Sequence, residues 1–313
     1  MKLGRRMFKS MKCIIGILAV VVLRTAIVPV LHAAEMKPEE IVARHLDSIG
    51  TAEVRAGAKS RIVQGTSRYK IRVGAGGELQ GTSALVSEGR KSVLMIKLVN
   101  QDYRGEQFVT DGEKVSVAAT TSSHKWSDLG EFVRTQDQIV REGLLGGELT
   151  TAWALLNLGE NKAKLSFDGQ RKVDGRTAYQ LTYHSKKRDD LTIHLYFDPE
   201  TFQHIMTTYA ITLASGLGSF SPSTSDQAGL TTAPSNTAGA DVTQSSRQKQ
   251  TRYTIEELFS DFKTAEGLTL PTKYVIHFTQ ELQDGTTNVY QWDLTADEVS
   301  NNKPLDPRNF QVK

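Results

Sequence analysis

The spacing of apolar residues along this chain changes several times, and each change marks a different element. Between residues 38 and 50, Ile41, Val42, His45, Leu46 and Ile49 recur at three and four positions, the period of an amphipathic helix. Pro38 in the first turn, Glu39 and Glu40 against the helix dipole and Gly50 past the end set its limits. From about Ser60 the period drops to two, over segments 62–73, 81–88, 92–99, 106–110 and 114–118, which predicts strands. Gly74-Ala75-Gly76-Gly77 and Asp111-Gly112 supply turns between them. A helical interlude follows. Leu129, Phe132, Val133, Gln136, Ile139, Val140 and Leu144 keep helical spacing, and Leu149, Trp153, Leu155 and Leu156 continue it after Gly146-Gly147, so two helices with a glycine hinge are expected. Period two then returns in 163–167, 177–184, 191–197, 202–212, 252–263, 273–282 and 287–294. Asp168-Gly169, Asp174-Gly175, Asp198-Pro199 and Asp284-Gly285 punctuate these strands.

Connections this short permit antiparallel hairpins, because parallel strands need a crossover of a dozen or more residues. The expectation is an α+β fold dominated by one large, curved antiparallel sheet of about 11 strands, with helices at its start and middle. Residues 214–250, rich in Ser, Thr, Gly and Ala, cannot bury enough apolar surface to order themselves and predict a low-complexity disordered insertion. It interrupts the sheet within a single domain, 35–313.

Each strand presents an apolar stripe on one face: Leu94, Ile96 and Leu98; Tyr179, Leu181 and Tyr183; Leu191, Ile193, Leu195 and Phe197; Tyr274, Ile276 and Phe278; Tyr290, Trp292 and Leu294. Every stripe needs a cover, and two covers are open. Either the interlude helices fill the core, or the sheet curves into an incomplete barrel in which Phe132, Val133, Ile139, Val140, Leu144, Leu145 and Trp153 form a lid over an apolar ligand cavity.

Composition narrows the class. With 313 residues, 39% hydrophobic and 23% charged, the chain can support a core without staples. The formal charge of +3 is misleading, because residues 1–34 hold six basic side chains (Lys2, Arg5, Arg6, Lys9, Lys12, Arg24) and no acid; without them the charge is −3. That balance gives no basic field for nucleic acid. Residues 1–12 read as a basic n-region, Cys13 to Leu23 as an apolar run and Leu31-His32-Ala33-Ala34 as a cleavage end, so a signal peptide and export to the periplasm are expected. The rival is an inner-membrane anchor over residues 13–31, opposed by Arg24 near its centre at a cost of about 3 kcal/mol. Cys13 is the sole cysteine, so the exported chain has no disulfide, thiolate nucleophile or thiolate metal site.

Catalytic signatures are missing: there is no G-x-S-x-G, H-E-x-x-H, Walker loop or EF-hand spacing. His184, His194 and His204 recur every ten residues, but hairpin register keeps them apart, and solvent-facing histidines are expected. Glu256-Glu257 and Asp189-Asp190 read as solvated edge or turn acids. An enzyme is therefore the least supported class; no cofactor and no metal are expected.

The order of elements resembles the family of periplasmic outer-membrane lipoprotein carriers and lipoprotein-sorting proteins, the LolA/LolB-like superfamily, as a divergent member. The resemblance is carried by Phe108-Val109-Thr110-Asp111-Gly112-Glu113-Lys114, by Leu195-Tyr196-Phe197-Asp198-Pro199-Glu200-Thr201, and by Phe259-Ser260-Asp261-Phe262-Lys263 with Gly267-Leu268-Thr269-Leu270-Pro271. It implies a half-barrel with helices plugging its concave face and a non-catalytic carrier of lipoprotein acyl chains or phospholipid. Inner-membrane donor and outer-membrane acceptor proteins would be its partners, and a monomer its state. The ligand-facing set would be Leu94, Ile96, Leu98, Phe132, Val133, Ile139, Val140, Leu144, Trp153, Leu181, Ile193, Leu195, Phe197, Tyr274, Ile276, Phe278 and Trp292. A basic side chain latching the lid through helix carbonyls is also implied, with Arg72 and Arg104 as candidates. The alternative is an anchored regulatory or assembly module that binds a protein partner through the same face.

Overall fold

The computed structural model describes residues 36–73, 77–120, 126–186, 190–214, 250–282 and 284–312. The expected signal peptide, the glycine turn at 74–76 and residues 215–249 of the expected insertion lie outside them. Two helices open the described chain, α1 (Pro38–Ile49) and α2 (Ala52–Gly57); α2, which the apolar spacing does not announce, is capped by Thr51 accepting from the Val54 amide. Five strands follow: β1 (Ser60–Ile71), β2 (Glu78–Glu88), β3 (Lys91–Leu98), β4 (Gly105–Thr110) and β5 (Val115–Ala119). The interlude comprises α3 (Asp128–Thr135), α4 (Gln138–Arg141), single 3₁₀ turns at Gly147–Leu149 and Ala154–Leu156, and α5 (Leu158–Asn161). Seven more strands complete the fold: β6 (Lys164–Val173), β7 (Arg176–His184), β8 (Thr192–Phe197), β9 (His204–Ala214), β10 (Gln250–Ala265), β11 (Leu268–Glu281) and β12 (Thr287–Asn301).

All twelve strands join one antiparallel sheet in the order β5-β4-β3-β2-β1-β12-β11-β10-β9-β8-β7-β6. Two meanders, β1–β5 and β6–β12, are thus zipped together by their long outer members, β1 against β12. The edges β5 and β6 do not meet, so the sheet is an open half-barrel. β9 and β10 pair directly, Ala214 opposite Gln250.

Two expectations change on contact with the structure. The turn expected at Asp168-Gly169 is a bulge inside β6, where the register with β7 shifts between Phe167 and Gln170; Asp168 accepts from Gln180 (3.0 Å) and Thr182 of β7, holding the strand together through the irregularity. The turn falls at Asp174-Gly175, both at positive φ, as a two-residue hairpin demands. The two interlude helices are instead a chain of short pieces, none longer than eight residues. Gly143, at φ +74°, is one cause: a Cβ there would stand 1.7 Å from the Ala152 carbonyl oxygen, so the chain reverses where only glycine fits.

Candidate functional site

The inner face of the half-barrel is lined by the alternate residues of its strands, and the interlude lies on it. The seventeen apolar residues named above from the strands and the interlude all belong to a single buried core, together with α1 residues Ile41, Val42 and Ile49. Trp153, at the centre, is fully buried and stacks on His204 with ring centroids 4.9 Å apart. Voids of about 10 Å³ lie between interlude and sheet, one bounded by Leu85, Phe108, Val140 and Leu145, another by Val63, Leu85, Leu149 and Tyr274. Each is about the size of a single water. In this conformation the interlude is a plug that fills the concave face.

Polar latches fasten that plug, and sequence reading missed most of them. Glu257 on β10 is fully buried and accepts from the Gly146 amide (2.8 Å) and from the hydroxyls of Tyr209 and Tyr274. Burial drives its carboxyl above the ordinary value against these hydrogen bonds, which favour the anion. Burial, with the adjacent carboxylate, likewise holds both tyrosines well above theirs. The solvated reading of Glu256-Glu257 is thus half wrong. Glu256 faces outward, 3.5 Å from His277, whereas Glu257 continues the inward row Tyr253, Ile255, Phe259. Strand parity carried the signal.

Glu106 on β4 is a second latch. It accepts from the Ser127 amide (2.9 Å), the Ser127 hydroxyl (2.6 Å) and the Tyr103 hydroxyl (3.0 Å), while Ser127 caps α3 through the Gly130 amide. Burial raises the Glu106 carboxyl too. In a third, Glu142 of the interlude accepts from Tyr183 (2.9 Å) and Ser185 (2.6 Å) of the β7 region.

The basic latch is Arg61. Its Nη1 donates to the Glu148 carbonyl at 2.6 Å and its Nε to Asn301 at 3.0 Å; burial brings the guanidinium down to about 10. Arg72 and Arg104, the residues suggested by sequence, are exposed and make no hydrogen bond to an interlude carbonyl among the described residues. Arg61 shares the odd, inward positions of β1 with Val63, Ser67 and Tyr69, whereas Arg72 is even and points outward. The Glu148 side chain meets His204 (2.8 Å), whose other nitrogen lies 2.8 Å from Thr207. His204 is therefore not solvent-facing. The β8–β9 register shifts between Tyr196 and Phe197 and sets His204 opposite inward Phe197. His184 is exposed, and His194 lies partly exposed beside Thr182 and Gln180.

His45 of α1 completes the interior network. Its Nδ1 donates to the Phe202 carbonyl (3.1 Å) and its Nε2 accepts from Trp153 Nε1–H (3.0 Å), an arrangement only the neutral ring satisfies. Burial lowers it to about 4. Within the plug, neither amide atom of buried Gln138 nor the Oε1 of Gln136 has a hydrogen-bond partner among the described residues. The described residues contain no cluster of three or more His, Cys, Asp or Glu able to hold a metal ion.

No family model matches the chain, and no curated protein does. Solved structures do. The chain is similar to a LolA superfamily protein from Nitrosomonas europaea at 13% identity and TM-score 0.43, covering 89% of this chain and 99% of that one. The complex of MucA with MucB from Pseudomonas aeruginosa matches at 10% identity and TM-score 0.23 over 85% of this chain and 100% of that one. The Mycobacterium tuberculosis lipoprotein LppX matches at 11% and 0.22 over 55% and 88%. The half-barrel itself is established by the strand order above. Among the described residues no helix is long and apolar enough to cross a membrane.

Proposed function

We propose that this protein is a non-catalytic envelope carrier that shelters the acyl chains of a lipoprotein or phospholipid against the concave face of its half-barrel, exchanging them for the interlude. One observation carries the reading. The concave face is a continuous apolar surface covered by a segment that is separately fastened, broken into short pieces and held at discrete polar latches. A permanent core has no need of such a cover. Baring Phe132, Val133, Ile139, Val140, Leu144, Leu145 and Trp153 costs on the order of 10–20 kcal/mol at about 1.5–3 kcal/mol per side chain. An acyl chain of about sixteen carbons returns a similar sum at about 0.8 kcal/mol per methylene. The plug therefore leaves in exchange for cargo and not spontaneously. The unpaired amide of Gln138 lowers the cost of displacement further.

The test combines extraction with a lock. The protein, exported and purified without detergent, is expected to yield phospholipid or acylated peptide by mass spectrometry. Ser87 and Thr151 meet through a 2.9 Å hydrogen bond from the Thr151 amide to Ser87 Oγ, and the lock is a cross-link between them in the double variant Ser87→Cys/Thr151→Cys, its formation checked by the loss of free thiols. Oxidised, this variant should take up no fluorescent acyl probe; reduced, it should recover. Equal uptake in both states, or a folded protein that never holds an acyl compound, refutes the carrier.

A further inference from the structure

Most buried polar side chains of the interlude are partnered. Glu142 accepts from Tyr183 and Ser185, Thr150 donates to the Gly147 carbonyl, and the Trp153 ring nitrogen donates to His45. Two glutamines depart from this pattern. Gln136, at the junction of α3 and α4, is 2% exposed and Gln138, in α4, is fully buried, yet Gln136 Oε1 and both amide atoms of Gln138 have no hydrogen-bond partner among the described residues. The other unpaired buried side-chain atom among the described residues, Glu148 Oε1, belongs to a carboxyl whose second oxygen lies 2.8 Å from His204.

Local structure gives the two amides no task. The main chain is satisfied on its own: the Gln136 N–H donates to the Phe132 carbonyl (2.8 Å), the Gln136 carbonyl accepts from Ile139 (3.1 Å) and the Gln138 carbonyl from Glu142 (2.9 Å). A methionine would fill the same space without an unpaired polar group, and buried polar groups without partners are costly and rare.

Their position shows what they face. Gln136 extends the helical stripe Leu129, Phe132, Val133, and Ile139 and Val140 follow Gln138 into the same core. Phe132 packs on Tyr253 of β10 and Phe278 of β11, with ring centroids 6.3 and 6.0 Å apart. The outer side of this stretch belongs to Arg134, which is exposed, and to Asp137 and Arg141, which pair at 2.6 Å. Both glutamines are therefore enclosed with the side of the interlude that covers the concave face, the side that meets cargo when the interlude gives way.

The unpaired atoms specify a chemistry. Gln138 offers an N–H donor and a carbonyl acceptor, and Gln136 adds a second acceptor. A hydrocarbon chain pairs with none of them. An ester has a carbonyl but no hydrogen to give. A secondary amide has both an N–H and a carbonyl, the complement of a glutamine amide. We infer that Gln136 and Gln138 are specificity-determining residues that read the linkage at the head of the cargo's acyl chain, selecting a chain joined through a secondary amide over one joined through an ester. This role rests on the carrier reading and adds to it a polar recognition that the apolar face has no means of making.

The probes are N-methyldodecanamide, N,N-dimethyldodecanamide and methyl dodecanoate, which share one chain and differ only at the linkage. Each competes with a fluorescent acyl probe for the exported protein. Wild type should bind the N-methyl amide about fivefold or more tightly than the dimethyl amide, which keeps the carbonyl but has no N–H, the difference being one hydrogen bond. In Gln136→Met/Gln138→Met the ratio of ester to N-methyl amide dissociation constants should fall about fivefold or more, while the urea midpoint holds or rises. The ratio cancels any change in the cost of displacing the interlude, because that cost is common to all three probes. Binding with an unchanged ratio overturns the recognition role and leaves the carrier reading in place, as does equal or tighter binding of the dimethyl amide by wild type. The comparison of the two amides on wild type requires no substitution, so a variant that misfolds leaves the test intact. Binding of none of the three probes by wild type overturns both readings.

Discussion

Single buried side chains decide how the interlude sits, and the two adjacent acids on β10 show it most sharply. Replacing Glu257 by Leu strips the acceptor from the Gly146 amide and two tyrosine hydroxyls, each buried donor costing about 1–3 kcal/mol when left unpaired. Partial relief comes from no longer burying a carboxylate, so a net loss of about 2–4 kcal/mol is expected in urea unfolding. Glu256→Leu, one residue away on the outer face, should change stability by less than about 0.5 kcal/mol. Equal effects would refute the latch. His45 gives a pH signature. Its ring titrates at about 4 in the native state and near 6.5 when unfolded. Between those values the unfolded chain binds a proton that the native state refuses, so stability is lost as pH falls from about 6.5 towards 4, by up to about 3 kcal/mol. Glu106 and Glu257, whose carboxyls are raised, act oppositely: the native state keeps protons that the unfolded chain has shed, so they add stability as pH falls from their raised values towards about 4.3. Gln at position 45 can accept from Trp153 and donate to the Phe202 carbonyl without titrating. The fall in melting temperature between pH 6.5 and 4.5 should therefore be shallower in His45→Gln; an unchanged slope would count against a neutral, buried His45.

At the scale of elements, the contrast is between strands of up to 16 residues and helical pieces of four to eight. Helices this short have no stability of their own, because their end groups outnumber their internal hydrogen bonds. Tertiary contact holds them. Hydrogen exchange followed by mass spectrometry should show amides of residues 128–162 exchanging at least tenfold faster than those of β10 to β12, where each strand is paired on both sides. Protection equal to that of the central strands would make the interlude an ordinary core and remove the basis for exchange. The spacing in the sequence located this segment and its buried residues, apart from the exposed Leu156, but rendered it as two continuous helices. It did so because periodicity reports which residues are buried and is silent on where a buried segment must reverse, as at Gly143 beneath the Ala152 carbonyl.

At the scale of the whole molecule, the two faces of one sheet present different chemistry: an apolar inner face packed under the interlude and an outer face with a groove of about 740 Å³ lined by several basic side chains. The sequence by itself determined the α+β class, the antiparallel strands, the position of the interlude and the apolar residues that meet in the core, because these follow from side-chain period and turn chemistry, which are local. It did not determine that β1 pairs with β12 to join the two meanders, since that pairing spans more than 200 residues. Nor did it place Arg61, Glu106, Glu257 and His204 inside, although strand parity pointed inward for Arg61 and Glu257. A charged residue reads as solvated until a partner is in view, and each partner here comes from a distant element: Glu148 for Arg61, Ser127 for Glu106, Gly146 for Glu257. For His204 the register shift opposite Phe197 also had to be known. Burial of a polar group is a property of the pair that satisfies it, and only the tertiary structure brings the pair together.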